Sequence, residues 1–453
     1  MRATPPGPKG APVIGNTQRF ARDPFSFMSS CRDAYGDVAR LSIGGEPTYM
    51  LTNPADVERV LVSDERKYRK PAFGDDDIRE LLGNGLLLSE GDFWRRERRR
   101  AQPAFDMRRI GGLTGMMTDH TEAMIGGWAD GDEILIDTEM ARLTVKIIVD
   151  AMFGVSFDDR TIERMQASLE PLGERFEPDI LGALLPEWVP TQENREYHAA
   201  IETLEGILED VLAERRGTEH DPAADAGTDG DRPMDLLSIL LRARSEEAEV
   251  DDELLRDELM TMLLAGHDTT ALTLTYTWYL LARHPDVEAN LHAEFDRVLG
   301  GQAPTMADVR ELEYTERVLK EAMRLYPPVY LMFREPMTDV RLGGYRIEKG
   351  SLCMLPQWAV HRDPQYYDDP LEFDPDRWKP ERAAERPNYA YFPFGGGPRH
   401  CIGKRFSMLE ASLILGTVGQ KYRLEPVSEE PIDLRGSLTM HPEEPIEAVV
   451  RER

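Results

Sequence analysis

The stretch that decides the reading is Phe394-Gly395-Gly396-Gly397-Pro398-Arg399-His400-Cys401-Ile402-Gly403. It sets a cysteine behind a glycine-rich run, directly after Arg399-His400 and just before an apolar helix-forming segment. A thiolate at a helix N-terminus beside an arginine has a lowered pKa and serves as an anionic metal ligand. Glycines permit a backbone whose amide N–H groups point at a sulfur and which a flat cofactor can approach closely. An isolated cysteine beside a turn is by default a structural core residue. Here Phe394, Gly397, Arg399, Cys401 and Gly403 stand together as F-x-x-G-x-R-x-C-x-G, the setting that a haem iron with a thiolate axial ligand requires. Arg399 adds a fixed positive charge for a propionate.

Three other clusters lie outward from this loop. Ala265-Gly266-His267-Asp268-Thr269-Thr270 falls inside a helical pattern running from Asp252 to Arg283. Glycine and threonine oppose helix propensity in mid-helix, so packing or function must account for them. A Thr side chain there bonds back to the carbonyl four residues earlier, a small residue leaves room for a ligand, and an acid–alcohol pair suits proton delivery. A kinked core helix is the plainer explanation of the same residues. Glu321-Ala322-Met323-Arg324 places an acid and a base at i, i+3 on a helix expected over Tyr314–Tyr326, stopped by Pro327-Pro328. On its own that is a surface ion pair of a few tenths of a kcal/mol, about the usual worth of an exposed pair. Trp94-Arg95-Arg96-Glu97-Arg98-Arg99-Arg100 packs five arginines into seven residues, with Trp94 and Arg98 sharing one helix face. One face suits a propionate and another an acidic protein, against the plainer reading of a solvated cationic helix.

Together these residues resemble the cytochrome P-450 superfamily of haem-thiolate monooxygenases over nearly the whole chain. The cysteine loop, AGHDTT, E-x-x-R, W-x-x-x-R, and the stretch from His361-Arg362-Asp363-Pro364 through Phe373-Asp374-Pro375-Asp376-Arg377-Trp378 follow the family's order and spacing. The resemblance implies haem b held between a long central helix and the cysteine loop, with Cys401 as axial ligand and Phe394 near the sulfur. It implies Trp94, Arg98, Arg399 and Arg334 as propionate partners, and Glu321, Arg324 and Arg377 as a structural triad. Asp268 and Thr269 correspond to the pair that delivers protons to dioxygen. His267 reads as a position facing other protein, or as a second proton donor. The substrate pocket is expected to draw on Phe73, Leu88, Leu264, Ala265, Val329, Leu331 and Leu438. The implied activity is insertion of one oxygen atom from dioxygen into an apolar organic substrate. A haem-thiolate isomerase or peroxygenase and a non-catalytic haem sensor are the alternatives; Asp268 and Thr269 favour dioxygen chemistry.

Composition frames this reading. Cys31, Cys353 and Cys401 are too few for a disulfide framework, which points to a reducing, cytoplasmic setting. No apolar run reaches the roughly 18–20 residues of a membrane span, and PPGPKG begins at residue 5 with no apolar helix before it, so no membrane anchor is expected. Nor does a flavin or iron–sulfur segment follow Cys401, so electrons are expected from a separate ferredoxin or flavoprotein. Arg95, Arg96, Arg99 and Arg100, with Lys404 and Arg405, form the expected docking patch for that donor. A net charge of −29 opposes binding to nucleic acid and anionic membrane, and suits either a host with high internal salt or an ordinary acidic cytosolic protein. The pattern predicts one domain over 1–453, mainly α with small β-sheet regions. It has a Pro/Gly-rich opening segment at 1–16, strands at Val38–Ile43 and Thr48–Leu51, helices from Pro54 to about residue 300, a hairpin within Val340–Leu352, and an acidic mobile loop at 217–233.

Overall fold

The central helix, Asp252–Arg283, occupies the span that its sequence pattern predicts. Asp251 caps its start by accepting the Leu254 N–H at 2.9 Å, and Pro285 follows its end. Its mid-helix threonines do not break it, because their hydroxyls donate back to carbonyls four residues earlier. These are Thr269 to Ala265, Thr273 to Thr269, Thr275 to Ala271 and Thr277 to Thr273, at 2.6–3.1 Å. Gly266 has a packing reason: a Cβ there would stand 2.7 Å from the Ile148 side chain, on the crossing helix Ile136–Phe153. The expected gap for a ligand therefore belongs to exposed Ala265, not to Gly266.

This computed structural model describes residues 4–71, 75–177, 191–219, 235–246 and 251–453. It is mainly helical, at 57%, with small sheets. The central helix packs on Ile136–Phe153, on Glu313–Leu325 and on Lys404–Gly419, the helix that follows the cysteine loop. These contacts close one large apolar cluster that includes Ile148, Leu263, Trp278, Leu319 and Leu413.

The strands are β1 (Val38–Ile43), β2 (Glu46–Leu51), β3 (Tyr68–Arg69), β4 (Glu133–Leu135), β5 (Met332–Pro336), β6 (Val340–Leu342), β7 (Tyr345–Ile347), β8 (Leu352–Leu355), β9 (Tyr422–Pro426), β10 (Leu434–Gly436), β11 (Met440–Pro442) and β12 (Glu447–Glu452). The main sheet runs β1-β2-β8-β5-β3, with β2 and β8 parallel and Thr48 opposite Leu352. The turn expected between the first two strands is tighter than its sequence suggested, since Glu46 and Pro47 already pair with Ile43 and Ser42. The hairpin β6–β7 turns on Gly343 and Gly344, both at positive φ, a conformation that glycine adopts without strain. Strands β3 and β4 lie inside the span expected to be helical. At two and three residues they are too short to give a period, and they form only by pairing with β5 and β12.

The first three residues of the opening segment lie outside the described residues, as does Phe73. The expected loop at 217–233 begins within the helix Gln192–Glu219, and residues 220–233 are likewise outside. Among the described residues no helix is long and apolar enough to cross a membrane.

Candidate active site

The cysteine loop is shaped by its backbone. Cys401 donates its N–H to the Phe394 carbonyl at 2.9 Å, closing the loop on itself. Gly397, at φ 64°, lies so close to a neighbouring segment that a Cβ would come within 2.0 Å of the Leu61 carbonyl oxygen, so no other residue fits. The loop delivers an accessible Cys401 just before the helix Lys404–Gly419, and the backbone N–H groups of Gly403 and Lys404 face the sulfur. The lowered thiol pKa expected from the sequence does not appear. Surrounding protein desolvates the sulfur and raises its pKa, outweighing those amides and the charges of Arg98 and Lys404. A bound metal ion reverses that balance, since a coordinating thiol is deprotonated outright.

Cations converge beside this loop. Arg98 donates to the His400 carbonyl at 3.0 Å. Arg399 donates to the Ser89 carbonyl at 3.0 Å, pairs with Glu90 at 2.5 Å, and lies 4.3 Å over the Trp94 ring. Arg334 shares a narrow cleft with Arg399, Tyr68 and Lys70. Burial, with Arg399 nearby, pushes Arg334 down to about 10. Burial together with Arg399 and Arg334 pushes Lys70 down to about 7. Lys70, which donates to the Leu87 carbonyl, and Glu90 were not singled out by the sequence reading, because neither belongs to a spaced motif. Desolvated cations in such number call for an anionic group.

A second surface comes from the central helix. Exposed Ala265 is followed by half-buried Asp268 and Thr269. Thr270 joins this helix to the one after the cysteine through a 2.9 Å contact with the Ser407 hydroxyl. His267 is buried and bonds through Nδ1 to the Leu263 carbonyl at 2.8 Å, and burial lowers its pKa, so it faces protein. Asp268 accepts from the Thr439 hydroxyl at 2.6 Å and lies 3.4 Å from His441 Nε2. Burial alone would raise its pKa, but His441 and Thr439 hold the carboxyl well below the usual range.

The other expected pocket segments gather here. Met440 N–H bonds to the Pro328 carbonyl at 2.9 Å, tying exposed Leu438 and its turn to the segment of Val329 and Leu331. The loop before Leu88 presses on the central helix, where a Cβ at Gly85 would come 2.3 Å from the Thr261 hydroxyl. Leu88 and Leu264 are both partly buried against the large cluster.

Glu321, Arg324 and Arg377 meet in the core rather than at the surface. Glu321 takes two bonds from Arg324 at 2.8 and 2.9 Å, one from Arg377 Nε at 3.0 Å, and one from Trp378 Nε1 at 2.9 Å. Arg324 also donates to the His361 carbonyl, and the His361 ring accepts the Phe392 N–H at 3.0 Å, which anchors the approach to the cysteine loop.

On the helix Gly91–Ala101, residues Arg95, Arg96 and Arg99 are exposed, as are Lys404 and Arg405. Arg100 departs from the expected patch. Its side chain is 8% exposed and pairs with buried Glu97, three residues earlier, so it points into the protein.

A flat iron group with two carboxylates would fit both halves of this arrangement, with desolvated cations for the carboxylates and the Cys401 thiol for the iron. That group is haem, and the site is that of a haem-thiolate oxygenase. A family model described as "Cytochrome P450" matches residues 5–448, and the chain belongs to this family. It is 37% identical to cyclooctatin synthase of Streptomyces melanosporofaciens, covering 96% of this chain and 92% of that protein. It is 31% identical to pentalenene oxygenase of Streptomyces avermitilis, over 92% and 90% of the two chains. The crystal structure of the cytochrome P450DA heme domain superposes with a TM-score of 0.85 at 32% identity, covering 100% of this chain and 98% of that one. The protein is an oxidoreductase, a haem-dependent monooxygenase that uses dioxygen and electrons from a redox partner.

Proposed function

We propose that this enzyme hydroxylates an apolar polycyclic terpenoid, and that residues 1–453 form one haem domain for that purpose. The observation that carries the proposal is the placing of exposed Ala265, Asp268 and Thr269 along one helix face, beside a turn that presents the apolar side chain of Leu438. Relatives named cyclooctat-9-en-7-ol 5-monooxygenase and pentalenene oxygenase support the substrate class.

In this reading Cys401 would supply the thiolate that holds the haem iron, with Phe394 and Gly403 shaping its surroundings. Trp94, Arg98, Arg334, Arg399 and Lys70 hold the propionates. Haem, when bound, would supply the redox chemistry with dioxygen. Asp268 and Thr269 hold and pass protons beside Ala265, while Leu88, Leu264, Val329, Leu331 and Leu438 exclude water from the substrate. The electron donor is a separate acidic ferredoxin or flavoprotein that docks on Arg95, Arg96, Arg99, Lys404 and Arg405. The setting is cytoplasmic, and the charge of −29 is an adaptation to high internal salt, where screening relieves its self-repulsion. Stability that rises from millimolar to molar potassium chloride supports that adaptation; stability that falls counts against it.

The test is a screen of the haem-loaded protein against cyclic terpenoids, sterols and long-chain fatty acids. Binding is followed by the change in haem absorption, and products are then identified with a reconstituted electron donor. Cyclic terpenoids should bind most tightly and gain one oxygen atom. Preferential turnover of fatty acids would refute the substrate class.

A further inference from the structure

The hairpin β10–β11 carries an unassigned polar chain that ends at Asp268. Thr439 Oγ1 donates to Asp268 Oδ2 at 2.6 Å and lies 2.9 Å from His441 Nε2. A hydroxyl has one proton to give, and here it goes to Asp268. The contact with His441 must then run the other way, from Nε2–H to Oγ1. The shortest contacts therefore run in a row from His441 through Thr439 to Asp268, with His441 Nε2 itself 3.4 Å from Asp268 Oδ2. The His441 side chain, on the hairpin, is 27% exposed, and Asp268, next to Thr269 on the central helix, is 22% exposed.

We propose that His441 is the solvent-side station of a proton relay, through Thr439, that resupplies Asp268 during turnover. The inference rests on the role given to Asp268 above. His441 acts through Asp268, as a positioning and supply residue away from the reacting atoms. In one transfer the Nε2–H bond breaks as a new Oγ1–H bond forms, and the former Thr439 hydroxyl proton moves to Asp268 Oδ2. The imidazolium becomes neutral, the carboxylate becomes an acid, Thr439 is again a hydroxyl, and a hydronium ion from solvent returns the proton to the imidazole and leaves as water.

The charges around the row set where its proton rests. His441 faces Asp268 on the central helix, Arg435 opposite it on β10, and Glu177 beyond, with His267 and Asp137 at longer range. Burial lowers the His441 pKa, but Asp268 and its hydrogen bond outweigh this and raise it. The resting proton thus sits on the imidazole and reaches Asp268 only when it is drawn forward.

The experiment compares haem-loaded wild type, His441→Gln, His441→Arg and Asp268→Asn. Two quantities are read from pH 5.5 to 9: product formed per electron consumed, and Tm of the resting protein. A raised histidine pKa gives stability that is full below about 6.5 and is lost as pH rises through the folded value. The Tm advantage of wild type over H441Q should therefore shrink with rising pH. Product per electron should fall with rising pH in wild type, and should be flat and on the order of tenfold lower in H441Q, the low end for loss of a supporting partner. H441R keeps the charge and folds around it, but a guanidinium does not give up its proton, so it should stay as poorly coupled as H441Q. Wild-type coupling in H441R, or in H441Q beside an impaired D268N, overturns the relay alone. Wild-type coupling in D268N overturns both the relay and the assigned role of Asp268.

Discussion

Arg377 donates from Nε to Oε1 of Glu321 at 3.0 Å across 56 residues of sequence, with both side chains almost wholly buried. Glu321 also receives both Arg324 donors and the Trp378 ring N–H, so removing this one carboxylate strands two buried guanidinium groups. Glu321→Ala should lower the unfolding free energy by ~3–5 kcal/mol, the usual cost of breaking a buried pair. Denaturant titration measures it. Haem retention should fall in step, because Arg324 holds the His361 carbonyl and His361 holds Phe392.

Gly266→Ala tests whether the AGHDTT glycine serves packing. The new methyl would meet Ile148 Cδ1 and Cγ1 at 2.7 Å, and overpacking of that kind costs ~1–3 kcal/mol. Adding Ile148→Ala should recover most of the loss. A double-mutant cycle on unfolding free energy reads the coupling between the two positions, and an additive result would deny the contact.

Thr269 separates chemistry from stability. Its hydroxyl makes one bond back to the Ala265 carbonyl at 3.1 Å, so Thr269→Ala should cost ~1 kcal/mol or less in stability. Product per electron should nonetheless drop severalfold, by ~10-fold where a proton-transfer partner is lost, and Thr269→Ser should restore it. Electron consumption and product are measured together.

The arginine-rich helix divides by exposure. Arg96→Glu with Arg99→Glu should slow reduction by the donor protein and weaken its salt dependence, with the haem spectrum unchanged. Arg100→Gln, which strands buried Glu97, should destabilise the fold instead. Stopped-flow reduction at two ionic strengths, with unfolding curves, tells the two effects apart.

The contrast between Arg99 and Arg100 marks where sequence stops being informative. Spacing placed Cys401 at the start of its helix, Glu321 and Arg324 on one face, and Asp268 and Thr269 within the Asp252–Arg283 helix, because each depends on local geometry. The partners of those residues come from far along the chain. Glu90 meets Arg399, Lys70 shares the Arg334 cleft, and His441 reaches Asp268 across 173 positions. No period links such pairs, and only the pairing of β3 with β5 and the tertiary packing of the hairpin β10–β11 and the loop before Leu88 create them. The thiol of Cys401 is the same lesson in electrostatics: helix start and arginine were both legible, while the desolvation that outweighs them comes from protein that folding packs around the loop.

The same burial gives a stability signature at Glu258, on the central helix facing Glu97. Glu258 is 1% exposed and Glu97 2%. Burial first, and then the neighbouring Glu97 carboxylate, push the Glu258 pKa up to about 8. In the unfolded chain a glutamate titrates near about 4.3. Between these values the folded protein holds a proton that the unfolded chain has released, so stability must fall as pH rises through that window. Glu258→Gln keeps the shape and removes the titration. The variant should match wild type near pH 4, gain on it steadily to about pH 8, and hold a constant advantage above that. Urea unfolding at stepped pH measures the gap. A difference that does not change with pH would mean that Glu258 ionises normally and that water reaches it.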